Sequence, residues 1–265
     1  MVIAALRLTL ATLVLAPLAL SRFRVELWQL ERREWLLAAA SGCLLALHFA
    51  AWITSLEYTT VASSVVLVST GPLWVALASP LLLKEPPSSR VIAGMLMALV
   101  GGLVINIGDG YRAFASLADL AENRAVFGNG LALVGAWALA GYLMIGRRLR
   151  IGIPLVPYIF LVYGFAALVL LTAVAVNGQR LGGYAAATYL WIFLLALVPQ
   201  LIGHSLFNWA LRFFPAAMVS ITVLGEPLGS AVLAFLVLNE APGRLTALGG
   251  SVVLAGLVVA TRRKP

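Results

Sequence analysis

Acidic residues and thiols are scarce in this chain. Its 265 residues include 10 Asp and Glu, one Cys and two His, and charged residues make up 11%. A soluble domain is about 25% charged. There is too little polar residue here to cover a water-facing surface, so most of the surface must face lipid. Cys43 alone can form neither an internal disulfide nor a thiolate metal site. The two histidines lack HExxH spacing, no pair of Asp falls in an apolar stretch, and no glycine-rich phosphate loop follows a strand. These absences argue against an enzyme and against a bound metal or cofactor. The polar connections are also too short to hold a nucleotide-binding domain. The net charge of +8 does not point to nucleic acid, because the basic residues sit in short clusters between apolar runs, the pattern of the positive-inside rule.

What the chain does have is apolar length, with 62% hydrophobic residues. Nine apolar segments are expected, at about 2–20, 34–55, 60–83, 89–107, 126–146, 154–176, 188–211, 215–238 and 243–261. Each reads as a membrane helix, since about 20 residues rising 1.5 Å each span one hydrocarbon core. The first has no basic lead-in and no small-residue cleavage site, so it reads as a membrane helix, not a signal peptide. The fold class is therefore all-α and polytopic. Arg22–Arg33 reads as a charged loop, and 109–124 as the longest polar connection, with a short surface helix around Ala113, Leu117 and Leu120. Lys and Arg divide unevenly between alternate connections. Arg22, Arg24, Arg32, Arg33, Lys84, Arg90, Arg147, Arg148, Arg150, Arg212, Arg262, Arg263 and Lys264 fall on one side, against Arg112, Arg124, Arg180 and Arg244 on the other. The first side, with the C-terminus, is expected in the cytoplasm of a bacterial cell.

The second half repeats the first at an offset of 155. Pro72, Glu85, Pro87, Gly94 and Gly101 match Pro227, Glu240, Pro242, Gly249 and Gly256. Third and eighth segments are five crossings apart, so the repeat is inverted, with residues 1–107 as one copy and 126–261 as the other. The segment 126–146 has no partner, which would lie upstream of Met1. Nine helices thus read as ten with the first missing.

Several motifs carry a family resemblance. They are Ala5-Leu6-Arg7-Leu8, Gly71-Pro72-Leu73 followed by Leu83-Lys84-Glu85, Gly141-Tyr142 through Gly146-Arg147-Arg148, and Gly225-Glu226-Pro227 followed by Leu238-Asn239-Glu240. With them the chain resembles the EamA-type branch of the drug/metabolite transporter superfamily over essentially its whole length. The resemblance implies a five-plus-five inverted repeat and a secondary active or facilitative transporter of small metabolites, such as amino acids or derivatives, or of xenobiotics, in the export direction. A non-transporting membrane protein, such as an intramembrane enzyme or assembly factor, and a lipid-linked intermediate flippase are the alternatives.

Polar residues inside apolar helices face the bundle interior or a wet cavity, because at the bilayer centre they are costly. Gln200, His204 and Asn208 recur every four residues and share a helix face, as do Thr222, Glu226 and Ser230. His48 and Trp52 form a shorter pair. These stripes, with Trp137, Tyr142 and Tyr163 as aromatic walls, are expected to line a substrate cavity; the alternative is that His204 and Asn208 only hydrogen-bond neighbouring helices. Glu226 is either a proton-coupling carboxylate or an architectural residue opening the helix at Pro227. Arg7 lies near the end of its segment, where snorkelling to the interface is the simpler account, with contact to an anionic substrate group or to Glu226 as the alternative. Small residues at Gly94, Ala98, Gly101 and Gly102, at Gly249, Gly250 and Gly256, and in the pair Gly225 and Gly229 mark close helix contacts, internal or in a homodimer.

Overall fold

A computed structural model describes residues 1–110, 123–238, 241 and 243–262. Helices cover each of the nine apolar segments, and no strand occurs among the described residues. In chain order they are α1 (Val2–Arg22), α2 (Arg24–Trp28), α3 (Arg32–Ser55), α4 (Val61–Val68), α5 (Gly71–Leu82), α6 (Ser89–Gly110), α7 (Asn123–Arg150), α8 (Leu155–Val176), α9 (Ala186–Leu195), a π-helical stretch (Ala196–His204), α10 (Ser205–Ala210), α11 (Ala216–Val223), α12 (Glu226–Leu238) and α13 (Arg244–Thr261). Seven described stretches are long and apolar enough to cross a membrane: Val2–Arg22, Arg32–Ser55, Ser63–Leu82, Arg124–Arg150, Leu155–Val176, Ala186–Ala210 and Arg244–Thr261. Ser89–Ile105 of α6 is a shorter apolar helix. The short surface helix expected around Leu117, and Asn239, Glu240 and Pro242, lie outside the described residues.

Three boundaries differ from the sequence reading. The charged loop 22–33 contains the short helix α2. Arg147, Arg148 and Arg150 form the last turn of α7 and do not follow it. There the cations face the carbonyl end of the helix dipole, which stabilises them. Finally, segments 60–83 and 215–238 are each broken. α4 stops at Val68 and α5 restarts at Gly71; α11 stops at Val223 and α12 restarts at Glu226. Both restarts carry a proline in second position, Pro72 and Pro227. A proline there loses no intrahelical bond, but it forbids the bond that would join the two halves.

The chain forms two compact units, one of Met1–Ile53 with Gly141–Phe214 and one of Thr54–Ala140 with Pro215–Pro265. In the first, α1 packs on α8. α8 is apolar all round, as a central helix must be, and buries Tyr158, Val162, Tyr163, Ala166 and Leu170. α3 reaches it at Gly42, where a Cβ would stand 2.6 Å from Phe165 Cβ and 2.7 Å from the Val162 carbonyl. Only a glycine fits there. Ser41 fixes the same contact through a 2.9 Å bond to the Tyr158 hydroxyl. α8 ends in a Schellman motif: Gly178 (φ +62°) follows Asn177, Gln179 N–H donates to Val174 O, and Gly178 N–H donates to Ala175 O.

In the second unit α6 packs on α13 through glycines. A Cβ on Gly94 would lie 2.4 Å from Gly256 O, and one on Gly101 would lie 2.6 Å from Gly249 O. Numbering rises along one helix as it falls along the other, so the pair is antiparallel. The contact is reciprocal, because Gly249 is the 155-residue counterpart of Gly94 and Gly256 that of Gly101. A two-fold axis generates such a pattern. Gly94 and Gly101 are thereby spent on Gly256 and Gly249 inside the unit, whereas a Cβ at Gly250 would meet Leu228 and one at Gly102 no described atom within 4 Å. Ala98, Met95, Ile105 and Val253 fill the space around these pairs, with Ile221 of α11 and Leu224 just after it. The pair Gly225 and Gly229 is different: a Cβ at Gly229 meets nothing within 4 Å.

Candidate functional site

The first unit gathers seven of the expected cavity residues, His48, Trp52, Tyr142, Tyr163, Gln200, His204 and Asn208. Gln200, His204 and Asn208 follow Pro199, and Pro199 explains the local geometry. It has no N–H for the carbonyl of Leu195, and its ring crowds that carbonyl, so an α-helical ladder cannot pass through. The ladder widens instead into the π-helical stretch Ala196–His204, a rare form that is frequent at functional sites. Gln200 and Asn208 are fully buried, at 0% exposure, and His204 is half-buried.

The bonds around this row come from several helices of the same unit. Arg7 of α1 donates through Nη2 to Gln200 Oε1 at 2.9 Å. Its Cζ lies over the Phe49 ring, 4.1 Å from the centroid, a cation–π contact. Phe49 meets the His204 ring edge-on at 5.5 Å. His48, next to it, is buried and stacks on Trp52 at 6.1 Å. Asn208 Nδ2 donates to the Tyr142 hydroxyl at 2.5 Å and to His204 O at 2.8 Å. The Tyr163 hydroxyl lies 3.2 Å from Ser205 Oγ. Below, Arg150 is buried and closes the end of the row. Its Nε donates to Asn208 O at 2.9 Å, its Nη1 donates to Ile153 O, and Arg147 donates to Leu211 O at 2.8 Å.

Three buried side-chain atoms in the row make no hydrogen bond of normal geometry among the described residues, Gln200 Nε2, His204 Nδ1 and Asn208 Oδ1, although the Gln200 and Asn208 amides both act on the Tyr163 hydroxyl. An unpaired buried polar group costs about 1–3 kcal/mol. Three at every fourth position over nine residues form a ladder of donor and acceptor positions, not scattered defects. A cleft of about 410 Å³ opens at the end of this unit where α1 begins and α8 ends. Met1, Val2, Ile3, Gln179, Arg180, Tyr184, Thr188 and Ile192 line it. Of these, Ile3 is one helical turn from Arg7, and Ile192 is about two turns from Gln200.

Arg7 was read from sequence as snorkelling to the interface. The structure turns it inward to Gln200. A local signal for this existed: Ala4 and Ala11, at i−3 and i+4, are small and fully buried, so this face of α1 is its inner face.

The remaining candidates belong to the second unit. Trp137 is 49% exposed and meets Trp74 edge-on at 5.4 Å. Glu226 is exposed in the first turn of α12, where its charge suits the positive end of the helix dipole. Thr222 donates to its own helix, at Val219 O. The Ser230 side chain lies outside the described residues. Among the described residues no group of three or more His, Cys, Asp and Glu comes together.

Known proteins place this architecture. An uncharacterized transporter of Archaeoglobus fulgidus is 26% identical over 240 residues, covering 87% of this chain and 78% of that protein. A crystal structure of a protein superposes with a TM-score of 0.81 at 21% identity, covering 98% of this chain and 86% of that one, which shows a shared fold. Residues 1–107 and 126–262 match the EamA-like transporter family. A chain of apolar helices matched by that family on both sides of its central connection belongs to the EamA-like transporter family, and is a multi-pass membrane transporter.

Proposed function

We propose that the protein is a secondary active or facilitative transporter that exports small organic metabolites, such as amino acids and their derivatives, or xenobiotics, across the bacterial cytoplasmic membrane. The unpartnered row Gln200 Nε2, His204 Nδ1 and Asn208 Oδ1 carries this reading. In a transporter, buried polar atoms left unpaired by the protein are where a solute replaces water. His48, Trp52 and Tyr142 complete that site from the same unit; Trp137, Glu226 and Ser230, of the second unit, are proposed as further residues on the solute's path. The antiparallel, reciprocal contact of α6 and α13 supports an inverted repeat of 1–107 and 126–261, and alternating access follows from such a repeat. The broken helices at Gly71 and Gly225, one per repeat, fit the same scheme. The excess of Arg and Lys on one set of connections supports a cytoplasmic C-terminus.

Counterflow into proteoliposomes tests the site. The probes are the twenty radiolabelled amino acids, indole carboxylates and ethidium. At least one solute should exchange, and Gln200→Leu should slow its exchange by about tenfold or more. Exchange of none of them by the full chain, or unchanged rates in Gln200→Leu, would remove the reading.

Coupling is assigned to Glu226, the sole carboxylate between residues 123 and 238. Glu226→Gln should keep exchange at equal pH on both faces and lose the acceleration that a pH gradient drives. A variant that still responds fully to the gradient would take Glu226 out of the coupling.

A further inference from the structure

Between α1 and α3 the chain carries four arginines that the fold does not use. Arg22 ends α1, Arg24 opens α2, and Arg32 and Arg33 open α3. All four are exposed, and none makes a hydrogen bond, an ion pair or a ring contact among the described residues. Arginines elsewhere in this unit are spent on the backbone: Arg150 donates to Asn208 O and Ile153 O, and Arg147 to Leu211 O. We propose that the α1–α3 connection binds an anionic phospholipid, with its phosphate at Arg24 and its acyl chains against Val25 and Trp28.

Stability of the fold does not account for these cations. Arg32 and Arg33 stand in the first turn of a 24-residue helix. That is the positive end of the helix dipole, where a cation is unfavourable. Three carboxylates lie on the same stretch, and none neutralises them. Glu34 Oε2 accepts from Glu31 N–H at 2.9 Å and so caps α3. Glu26 is half-buried, Glu31 is exposed, and neither forms an ion pair among the described residues. Each of the four guanidiniums therefore keeps its N–H donors for an outside acceptor. A phosphodiester takes the planar fork of an arginine with two oxygens, in charge-assisted bonds.

The apolar half of the surface selects a lipid over a soluble anion. α2 is anchored by Leu27, which is buried, and exposes Val25 (63%) and Trp28 (79%). Three residues apart, these two lie side by side. With Arg24 and Gln29 they line a surface depression of about 530 Å³. α2 joins two helices of membrane length, α1 and α3, so it lies at the membrane boundary. Tryptophan is enriched at that level, where its ring meets hydrocarbon and its N–H meets water. Leu36, one turn into α3 from Arg32, is exposed too and continues the apolar surface. A soluble phosphate would leave Val25 and Trp28 uncovered, whereas a phospholipid covers both kinds of surface at once. The four cations also select among lipids: they attract a net negative headgroup, while a phosphocholine carries its own compensating ammonium.

The test titrates the full chain in detergent with dioleoyl phosphatidylglycerol and with dioleoyl phosphatidylcholine, and native mass spectrometry counts the bound lipid. The first phosphatidylglycerol should bind about tenfold tighter than the first phosphatidylcholine. Raising NaCl from about 0.05 M to about 0.5 M should remove most of that preference. Arg24→Gln should weaken phosphatidylglycerol about fourfold and leave phosphatidylcholine unchanged. Trp28→Ala should weaken both lipids alike. If Arg24→Gln is not recovered folded, the double variant Arg32→Gln, Arg33→Gln carries the test with the same expectation. Arg180→Gln is the control for net charge, since Arg180 lies in the cleft at the opposite end of α1; it should change neither affinity. The inference is overturned if the two lipids bind within about twofold of each other, or if Arg180→Gln acts as strongly as Arg24→Gln. It is also overturned if glycerophosphoglycerol, the headgroup without its chains, displaces the lipid at about 1 mM, which would make this a site for soluble phosphates. A dimer that takes up no phosphatidylglycerol would overturn it as well, by assigning the face to a second copy of the chain.

Discussion

Gly249→Leu is expected to abolish the monodisperse, folded protein recovered in detergent, as read by size exclusion and thermal unfolding. The reason is the space at the α6–α13 contact. A Cβ at 249 would stand 2.5 Å from Gly101 O and 2.8 Å from Ile105 N. Both are backbone atoms, which cannot turn aside as a flexible side chain can. Adding methylenes to a packed core costs about 1–3 kcal/mol when side chains can adjust; here two helix backbones must separate. Separation would also unseat the second glycine pair, Gly94 with Gly256, because the two lie on one antiparallel contact. Total stability is typically only about 5–15 kcal/mol. The neighbouring glycine supplies the control. A Cβ at Gly102 meets nothing within 4 Å, and alanine there gains about 1 kcal/mol of helix propensity. Gly102→Ala should therefore unfold no earlier than the natural protein. Equal recovery of Gly249→Leu and Gly102→Ala would show that the glycine contact does not hold the unit together.

The same glycines show what the sequence could say about this fold. Apolar length alone located every long helix, though not the five-residue α2 in the charged stretch 22–33, because the bilayer sets one length and one composition for its spans. Which helices are neighbours is another matter. In lipid, Leu and Val do not choose partners; close contact does, and close contact is marked by glycine. Gly94, Gly101, Gly249 and Gly256 could be read as contact residues, but not as contacts of one another. That would have required noticing that the pairs 94 with 256 and 101 with 249 have equal sums. Gly225 and Gly229 had a similar spacing signal, yet among the described residues Gly229 has no neighbour for a Cβ. The motif is necessary for close approach and does not guarantee it.

The polar row was legible for a related reason. A Gln, a His and an Asn cannot be left facing lipid, so their burial followed from their identity. Their partners did not. Arg7 is near a helix end, and a long basic side chain there can reach either water or the interior; tertiary contacts choose. The small neighbours Ala4 and Ala11 were the readable cue that the interior would win. The π-helical stretch was marked by Pro199, which breaks an α ladder, although the form of the break depends on what packs around it. The two breaks at Gly71 and Gly225 were marked by Pro72 and Pro227 in the same way.

Asn208→Leu should leave the protein folded and reduce solute exchange by about tenfold or more. The two effects separate because of how Asn208 is bonded. Its Nδ2 makes two bonds, to the Tyr142 hydroxyl and to His204 O, while Oδ1 is buried with no partner. Removing the side chain forfeits two hydrogen bonds worth about 1 kcal/mol each. It also removes one buried acceptor whose desolvation costs about 1–3 kcal/mol. Leucine has nearly the same volume, so the cavity term is small. The buried Tyr142 hydroxyl, stripped of this donor, adds a cost of its own, so the net loss is about 1–3 kcal/mol, a shift of several degrees in the unfolding midpoint for a chain of this size. The Arg150 bond survives, since it is made to the backbone carbonyl of residue 208. Exchange depends on the side-chain atom that stability does not need: with Oδ1 gone, a solute donor that reaches this level finds hydrocarbon. Ser220→Ala separates this from the general effect of deleting a buried polar group. Ser220 is as buried as Asn208, but its hydroxyl donates to Ala217 O of its own helix, so exchange should be unchanged. Full exchange by Asn208→Leu would mean that the unpaired oxygen is only a cost of the fold, and the row would lose its lower end.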